Sequence, residues 1–336
     1  MTKIITKVDN VEKYRDLLKG KKIAVIGYGN QGRSQALNMR DFGLDIVIGN
    51  PKDSYFETAR KDGFRVMDIK DACNEADIIF ILIPDEVQPQ VFNEEIKPGL
   101  KAGDTLVMAS GYNYFYGYLD PPDNVNVLMI APRMIGWGIR DMYTKGIGFP
   151  VLIAVGHDYS GNSKEVLIGL SIAIGALMEG GCAIESSFRE ETLVDLLSEH
   201  SWAGAILFMF RAYYEVATEL GASPEAVILE LYASGELAEI AESMKNMGLF
   251  KQLKTHSRTS QYGQLTRGPK YIGEEIKNLI RKEAMDILNG KFATEWTNEQ
   301  KSGMAMYKRL HEINAEHPME KKEEELYRLL KRGDCK

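Results

Sequence analysis

Two groups of residues have the types and spacing to do chemistry. The first is Gly27-Tyr28-Gly29-Asn30-Gln31-Gly32, which directly follows the apolar run Lys22–Ile26. A GxGxxG loop that leaves a strand and opens a helix, with a second strand within about 30 residues, is the sequence form of a dinucleotide-binding turn. Gly27 permits the tight turn, Gly29 lets the backbone approach a pyrophosphate, and Gly32 lets helix and strand pack closely. The helix start adds unpaired N–H groups and the positive end of its dipole. A glycine-rich turn with no ligand is the plain alternative. About 20 residues further on, Asn50-Pro51-Lys52-Asp53-Ser54 stands where an acid favours the free ribose hydroxyl of NAD and a base favours the extra phosphate of NADP. Lys52 could meet a phosphate, Asp53 would repel one, and Ser54 could serve either.

The second group is acidic. In Phe188–His200, Asp195 and Glu199 stand at i and i+4, so a helix brings both carboxylates to one face, with Glu191 a turn earlier. Two like charges there repel unless a cation lies between them, and Mg²⁺ characteristically takes one or two carboxylates plus waters. A solvated acidic face is the competing reading. A further acidic helix carries Glu230, Glu236, Glu239 and Glu242. Five histidines occur and none precedes His157, so the glycine-loop half supplies no imidazole acid or base.

These groups need a scaffold, and the hydrophobic pattern describes one. The runs Lys22–Gly27, Asp45–Gly49, Asp77–Ile83, Asp104–Ala109 and Asn126–Ala131 lack polar alternation, as in strands covered on both faces. Helical patterns at Asn30–Phe42 and Ser54–Asp62 separate the first of them. Strand–helix–strand succession predicts a doubly wound, mostly parallel Rossmann sheet. Val151–Val155 adds a short strand, and beyond Ser163 long helical patterns dominate. The fold class is therefore α/β, with a dinucleotide-binding domain over residues 1–183 and an all-α domain over 184–330. Gly221, Ser223 and Pro224 stop one helix of that second domain and start the next.

Composition limits the partners. In 336 residues, 48 acids outnumber 41 bases. The excess argues against a general nucleic-acid or anionic-membrane binder. Cys73, Cys182 and Cys335 are too scattered for a disulfide framework or a zinc site, which suits a reducing cytoplasm. The N-terminus lacks the apolar core of a secretory signal. Val166–Met178 and Trp202–Phe210 fall short of ~20 residues and read as buried helices, not membrane spans. The charged tail from Glu320 reads as a solvated helix that frays.

With both groups placed, the chain resembles short-form ketol-acid reductoisomerases from about Lys21 to Gly268. The resemblance rests on the glycine loop together with Ile83-Pro84-Asp85-Glu86, Ala131-Pro132-Arg133, Gly146–Pro150, Asp158-Tyr159-Ser160-Gly161, Glu190-Glu191-Thr192 leading to Asp195 and Glu199, and Ser257–Gly263. It implies NADPH and Mg²⁺, an alkyl shift in an acetohydroxy acid followed by reduction, a knotted helical domain, and a dimer whose subunits build each site together. It also implies cofactor contacts at Ile83, Pro84 and Asp85, metal ligation by Asp195, Glu199 and Glu230, and catalytic roles for Arg133, Ser110, Glu236 and Ser257.

Four departures fall on the chemical centre. Ser110 stands where the family's Ala-His-Gly-Phe-Asn has histidine, and Arg133 stands where it has lysine. Ser234 occupies the position four residues after Glu230, so Glu236 matches the second glutamate only with two residues inserted. Gln261 replaces an acid of Ala-Glu-Tyr-Gly. The pattern describes a divergent NAD(P)-dependent oxidoreductase acting on a small 2-keto or acetohydroxy acid. A true ketol-acid reductoisomerase, or a non-catalytic dinucleotide sensor, are the alternatives.

Overall fold

The computed structural model describes residues 3–332. The chain divides into two compact units between Val194 and Asp195. The first is built on a nine-stranded sheet of β1 (Ile4–Ile5), β2 (Lys22–Ile26), β3 (Asp45–Gly49), β4 (Arg65–Met67), β5 (Ile78–Ile81), β6 (Thr105–Met108), β7 (Asn126–Pro132), β8 (Pro150–His157) and β9 (Cys182–Glu185), in the order β1-β9-β8-β7-β6-β5-β2-β3-β4. From β4 across to β7 every pairing is parallel. Beyond β7 the sheet is mixed: β8 runs antiparallel to β7, β9 parallel to β8, and β1 antiparallel to β9. The doubly wound expectation therefore holds, with an added mixed margin.

The central strands are apolar throughout because both faces are covered. Ile23 and Val25 point into one core layer with Leu128, Phe149 and Leu170; Ala24 and Ile26 point into the other with Ile79, Phe92 and Leu106. After β2 the chain continues on one side to β3, whereas β5 lies on the other. The glycine loop thus leaves β2 at the point where strand order reverses, the usual ligand crevice of open α/β sheets. Val166–Met178 is buried as expected, with Leu167, Leu170 and Ala173 in the core.

The second unit is helical. Its described core is small: Tyr214, Val227, Ile228 and Ala233 close around Met319 and Leu326. Two sequence expectations need correction. The helix Pro318–Leu329 is not merely solvated, since Met319 and Leu326 anchor it; the rest of the charged tail, 333–336, lies outside the described residues. Trp202–Phe210 is helical but not buried: Trp202, Leu207 and Phe208 are more than half exposed in the single chain. Among the described residues, the helical stretch 188–219 is also long and apolar enough to cross a membrane by length and composition. An apolar run reports that something must cover it, and does not say what.

Candidate cofactor site and carboxylate clusters

The three glycines of the loop occupy three different environments. Gly27 has φ +90°, and a Cβ there would lie 2.7 Å from Ile83 Cγ2 and 2.8 Å from the Leu82 carbonyl oxygen. A Cβ on Gly32 would lie 2.0 Å from the Gly27 carbonyl oxygen, so the loop folds onto the first turn of its own helix only because that atom is missing. A Cβ on Gly29 would meet no protein atom within 4 Å. Protein packing thus explains Gly27 and Gly32, whereas Gly29 borders open space at the start of the helix Asn30–Phe42. This fits a dinucleotide pyrophosphate resting on the helix N-terminus.

The other residues of the motif brace the loop. Asn30 Oδ1 accepts from Trp137 N at 2.9 Å, and Gln31 Nε2 donates to the Met134 carbonyl at 3.0 Å. A Cβ on Gly136 would come within 2.3 Å of the Asn30 carbonyl oxygen. The side chains of Asn30 and Gln31 therefore clamp the segment beyond Arg133 against the glycine loop. Tyr28 is 1% exposed, and its phenol donates to Asp62 Oδ2 at 2.9 Å. Its contribution to a cofactor cradle is backbone position, not a phenol aimed at a ligand. Burial, with the Asp62 carboxylate beside it, pushes the phenol far above its ordinary pKa.

Asn50, at the end of β3, is buried. Its Oδ1 accepts from Tyr28 N at 3.1 Å, while its Nδ2 donates to Asp53 Oδ1 at 2.9 Å. Asp53 Oδ1 also accepts from Tyr55 N and Phe56 N, so Asp53 is the N-cap of the helix Ser54–Lys61. Lys52, Asp53 and Ser54 are exposed. Asp85 receives Gln88 Nε2 and Asn113 Nδ2, both at 3.1 Å, which fixes the turn carrying Ile83 and Pro84.

At the carboxyl end of β7, Arg133 Nη2 lies 2.8 Å from Glu191 Oε1. Glu191 is 1% exposed, and its other oxygen accepts from Gly111 N at 2.6 Å. A Cβ on Gly111 would lie 2.3 Å from the Phe188 carbonyl oxygen. One buried carboxylate thus joins strand β7, the Ser110-Gly111 turn and the helix Phe188–Ser198. Ser110 is half-buried, and its Oγ accepts from Tyr112 N at 3.2 Å. In the sequence Glu191 shows as a third acid on its helix face and as part of Glu190-Glu191-Thr192, with no role of its own. Its partners, 58 and 80 residues away, leave no local signal.

In the second unit, Asp195 is half-buried and Glu199 exposed on a helical stretch that loosens into a π-turn at Glu199–Ala203. Glu230 lies in another π-turn, Leu229–Ala233, and Gly235 adopts φ +96° immediately before the helix Glu236–Met247 starts. Glu230 and Glu236 therefore do not share one regular helix. Such turns commonly absorb an inserted residue at functional sites. Ser257 is exposed, and its Oγ caps the helix Arg258–Tyr271 by accepting from Ser260 N at 3.2 Å. Among the described residues of one chain, no group of three or more His, Cys, Asp or Glu is placed to hold a metal ion.

The comparisons with known proteins follow this division. Residues 17–180 match the family model for the acetohydroxy acid isomeroreductase NADPH-binding domain, and residues 188–332 match that for the ketol-acid reductoisomerase C-terminal domain. The chain belongs to the ketol-acid reductoisomerase family. It is 48% identical over 318 residues to the putative ketol-acid reductoisomerase 3 of Saccharolobus solfataricus, covering 94% of this chain and 95% of that one. It is 40% identical over 316 residues to the ketol-acid reductoisomerase (NADP(+)) of Methanocaldococcus jannaschii, covering 94% of each. The solved structure of an NADH-preferring ketol-acid reductoisomerase from an uncultured archean is similar at a TM-score of 0.89 and 34% identity, over 97% of this chain and 99% of that one. As a member of the ketol-acid reductoisomerase family the chain is an oxidoreductase, and its α/β-then-helical architecture is the family's.

Proposed function

We propose that this protein is an NAD(P)H-dependent reductase of small 2-keto or acetohydroxy acids, assisted by Mg²⁺ and active in the cytoplasm as a homodimer or larger homo-oligomer. The observation that carries the reading is the contrast between an intact cofactor cradle, open at Gly29, and a chemical centre in which Ser110 stands in place of histidine. When bound, the reduced nicotinamide supplies a hydride to a carbonyl carbon. The rest falls to the chain. The loop Gly27–Gly32 binds the pyrophosphate, and Ile83, Pro84 and Asp85 border the cofactor. Asp53 sits where an anion disfavours a 2′-phosphate, so NADH is the better cofactor. Arg133, oriented by Glu191, holds a substrate carboxylate as a fixed cation. Ser110 hydrogen-bonds the substrate but does not exchange a proton near pH 7 unaided.

Asp195 and Glu199 offer hard carboxylate oxygens of the kind Mg²⁺ prefers, and the bound ion would polarise the substrate carbonyl. Glu230 and Glu236, on their broken helix, are the further candidates. The exposed apolar residues Trp202, Leu207, Phe208, Val216 and Leu220 lie round the helix rather than in one stripe, and a second copy covers them. A bilayer is the poorer cover, because the same stretch carries Asp195, Glu199, His200 and Arg211, and charge in hydrocarbon is costly.

One observation favours a second reading, the full isomerisation and reduction. The helix breaks between Glu230 and Glu236, as it must if both are to reach one metal pair. Oxidation of NADH and NADPH against a panel of 2-keto acids and 2-acetolactate, with and without Mg²⁺, separates the readings. Turnover of keto acids with little turnover of 2-acetolactate supports the reductase. Efficient use of 2-acetolactate supports the second reading. Tight cofactor binding with no turnover overturns both and leaves a dinucleotide-binding protein.

A further inference from the structure

Tyr28 is bonded, through groups at its two ends, to both ends of the helix Ser54–Lys61. Its backbone N–H reaches the start of that helix through Asn50 Oδ1 and then Asn50 Nδ2 to the Asp53 cap, at 3.1 and 2.9 Å. Its phenol reaches the far end at Asp62 Oδ2, at 2.9 Å. Asp62 is held from two further directions. Arg33, one turn into the helix that the glycine loop opens, binds its carboxylate at 2.7 and 3.2 Å, and Arg40 Nη1 donates to its carbonyl at 2.6 Å. The Tyr28 ring packs edge-on against Phe64, and the Arg40 guanidinium lies over that same Phe64 ring, 4.4 Å from its centroid.

The helix so gripped carries Lys52, Asp53 and Ser54 at its leading end, the residues at the position that meets the adenosine ribose. We infer that Tyr28 is a positioning residue for cofactor discrimination: it fixes the 2′-reading turn relative to the pyrophosphate loop. The inference rests on the reading of Asp53 as the anion that disfavours a 2′-phosphate. Without the phenol bond, the helix keeps its Asn50–Asp53 attachment, but its far end is held only by the long side chains of Arg33 and Arg40 and no longer by the glycine loop itself. A helix held less firmly at Asp62 can turn slightly about its own axis, and Asp53, as its N-cap, turns with it. Pyrophosphate contacts made by the loop backbone stay in place, while the distance from Asp53 to a 2′-substituent is no longer enforced. Loss of the phenol bond therefore changes selectivity more than it changes overall affinity.

The test measures dissociation constants of NADH and NADPH by fluorescence titration of the parent protein and five variants, with circular dichroism as the check on folding. Tyr28→Phe keeps the ring in the core and deletes one hydroxyl. It is expected to shift the NADH/NADPH affinity ratio about threefold or more towards NADPH, since displacements well under 1 Å alter such close contacts. Asp62→Ala is expected to shift it in the same direction, and the double variant by less than the sum, because both single variants remove the same phenol bond, Asp62→Ala taking the Arg33 pair with it. Phe64→Leu loosens the same packing but keeps the phenol bond, and is expected to lower stability while leaving the ratio unmoved. A folded Tyr28→Phe with an unchanged ratio, or a ratio that Phe64→Leu moves equally, overturns the inference. Asp53→Ser tests the underlying reading separately. If it shifts the ratio and Tyr28→Phe does not, the positioning role fails alone; if neither shifts it, both fail.

Discussion

Glu191 Oε2 lies 2.6 Å from the amide nitrogen of Gly111, across 80 residues of sequence. The same carboxylate holds Arg133, so a charge that could not be buried alone is matched by a guanidinium and a backbone donor. Replacing Glu191 by Gln keeps an acceptor for Gly111 but removes the charge facing Arg133. Urea unfolding of Glu191→Gln is expected to show a loss of about 1–3 kcal/mol. Reductase turnover is expected to fall further than stability alone would cause, because Arg133 loses its orientation. A variant with unchanged turnover would separate Arg133 from the reaction.

The glycine loop gives a paired expectation. At Gly29 a Cβ meets no protein atom, so Gly29→Val folds and loses cofactor affinity, read by NADH and NADPH titration. At Gly32 a Cβ would meet the Gly27 carbonyl oxygen at 2.0 Å, so Gly32→Ala loses stability first, read by thermal unfolding. Equal behaviour of the two variants would remove the assignment of the open space at Gly29 to a pyrophosphate.

Asp53 is an N-cap as well as a charge. Serine caps helices about equally well, so Asp53→Ser tests the charge with little cost to the helix. Two charges about 4 Å apart at an effective dielectric near 20 interact by roughly 4 kcal/mol before solvent screening. At this exposed turn most of that is screened, and a shift of about tenfold towards NADPH is expected in the ratio of dissociation constants.

The hydrogen bond from Arg33 lowers the pKa of Asp62 below its ordinary 3.8, with Tyr28 adding to the effect. A carboxyl with a lowered folded-state pKa stabilises the fold above its unfolded pKa. That contribution is lost as the pH falls through and below the ordinary carboxylate range. The unfolding free energies of the parent protein and Asp62→Asn are therefore expected to differ at pH 7 and to converge in strong acid. A constant difference across that range would show that the ion pair contributes nothing.

The metal expectation turns on two carboxylates at helical spacing. Titration with Mg²⁺ should find one firm site that Asp195→Asn abolishes, and a second that is weaker because Glu230 and Glu236 lie on either side of a broken helix. Two equally tight sites would show that the break restores a matched pair.

Most of this architecture is legible in the sequence because apolar runs are long where strands are covered on both faces. The strand expected over Asp45–Gly49 and the helix expected over Asn30–Phe42 are found with those bounds. Three strands leave no usable trace: Ile4–Ile5, Arg65–Met67 and Cys182–Glu185 are two to four residues long and sit near the sheet margins. At the candidate site, the motif GxGxxG marks a phosphate loop but does not divide labour within it. That Gly29 borders open space while Tyr28 turns inward to Asp62 depends on a partner 34 residues away. Glu191 is hidden for the same reason. The run Trp202–Phe210 reads as core because hydrophobicity alone does not say what covers it, and in the single chain Trp202, Leu207 and Phe208 are exposed.

The small core of the second unit closes around Met319 and Leu326, and both come from the last described helix, Pro318–Leu329. Their partners Tyr214, Val227 and Ile228 leave the ribosome about 90 residues sooner, which at about 5–20 residues per second is several seconds. During that interval every strand of the nucleotide-binding sheet has been made, including its last, Cys182–Glu185, which pairs with Ile4–Ile5 in the folded structure. The helical unit must wait for the helix Pro318–Leu329. Chains cut short before Met319 would therefore carry a finished sheet and an unsealed helical half, and quality control would recognise them by that half.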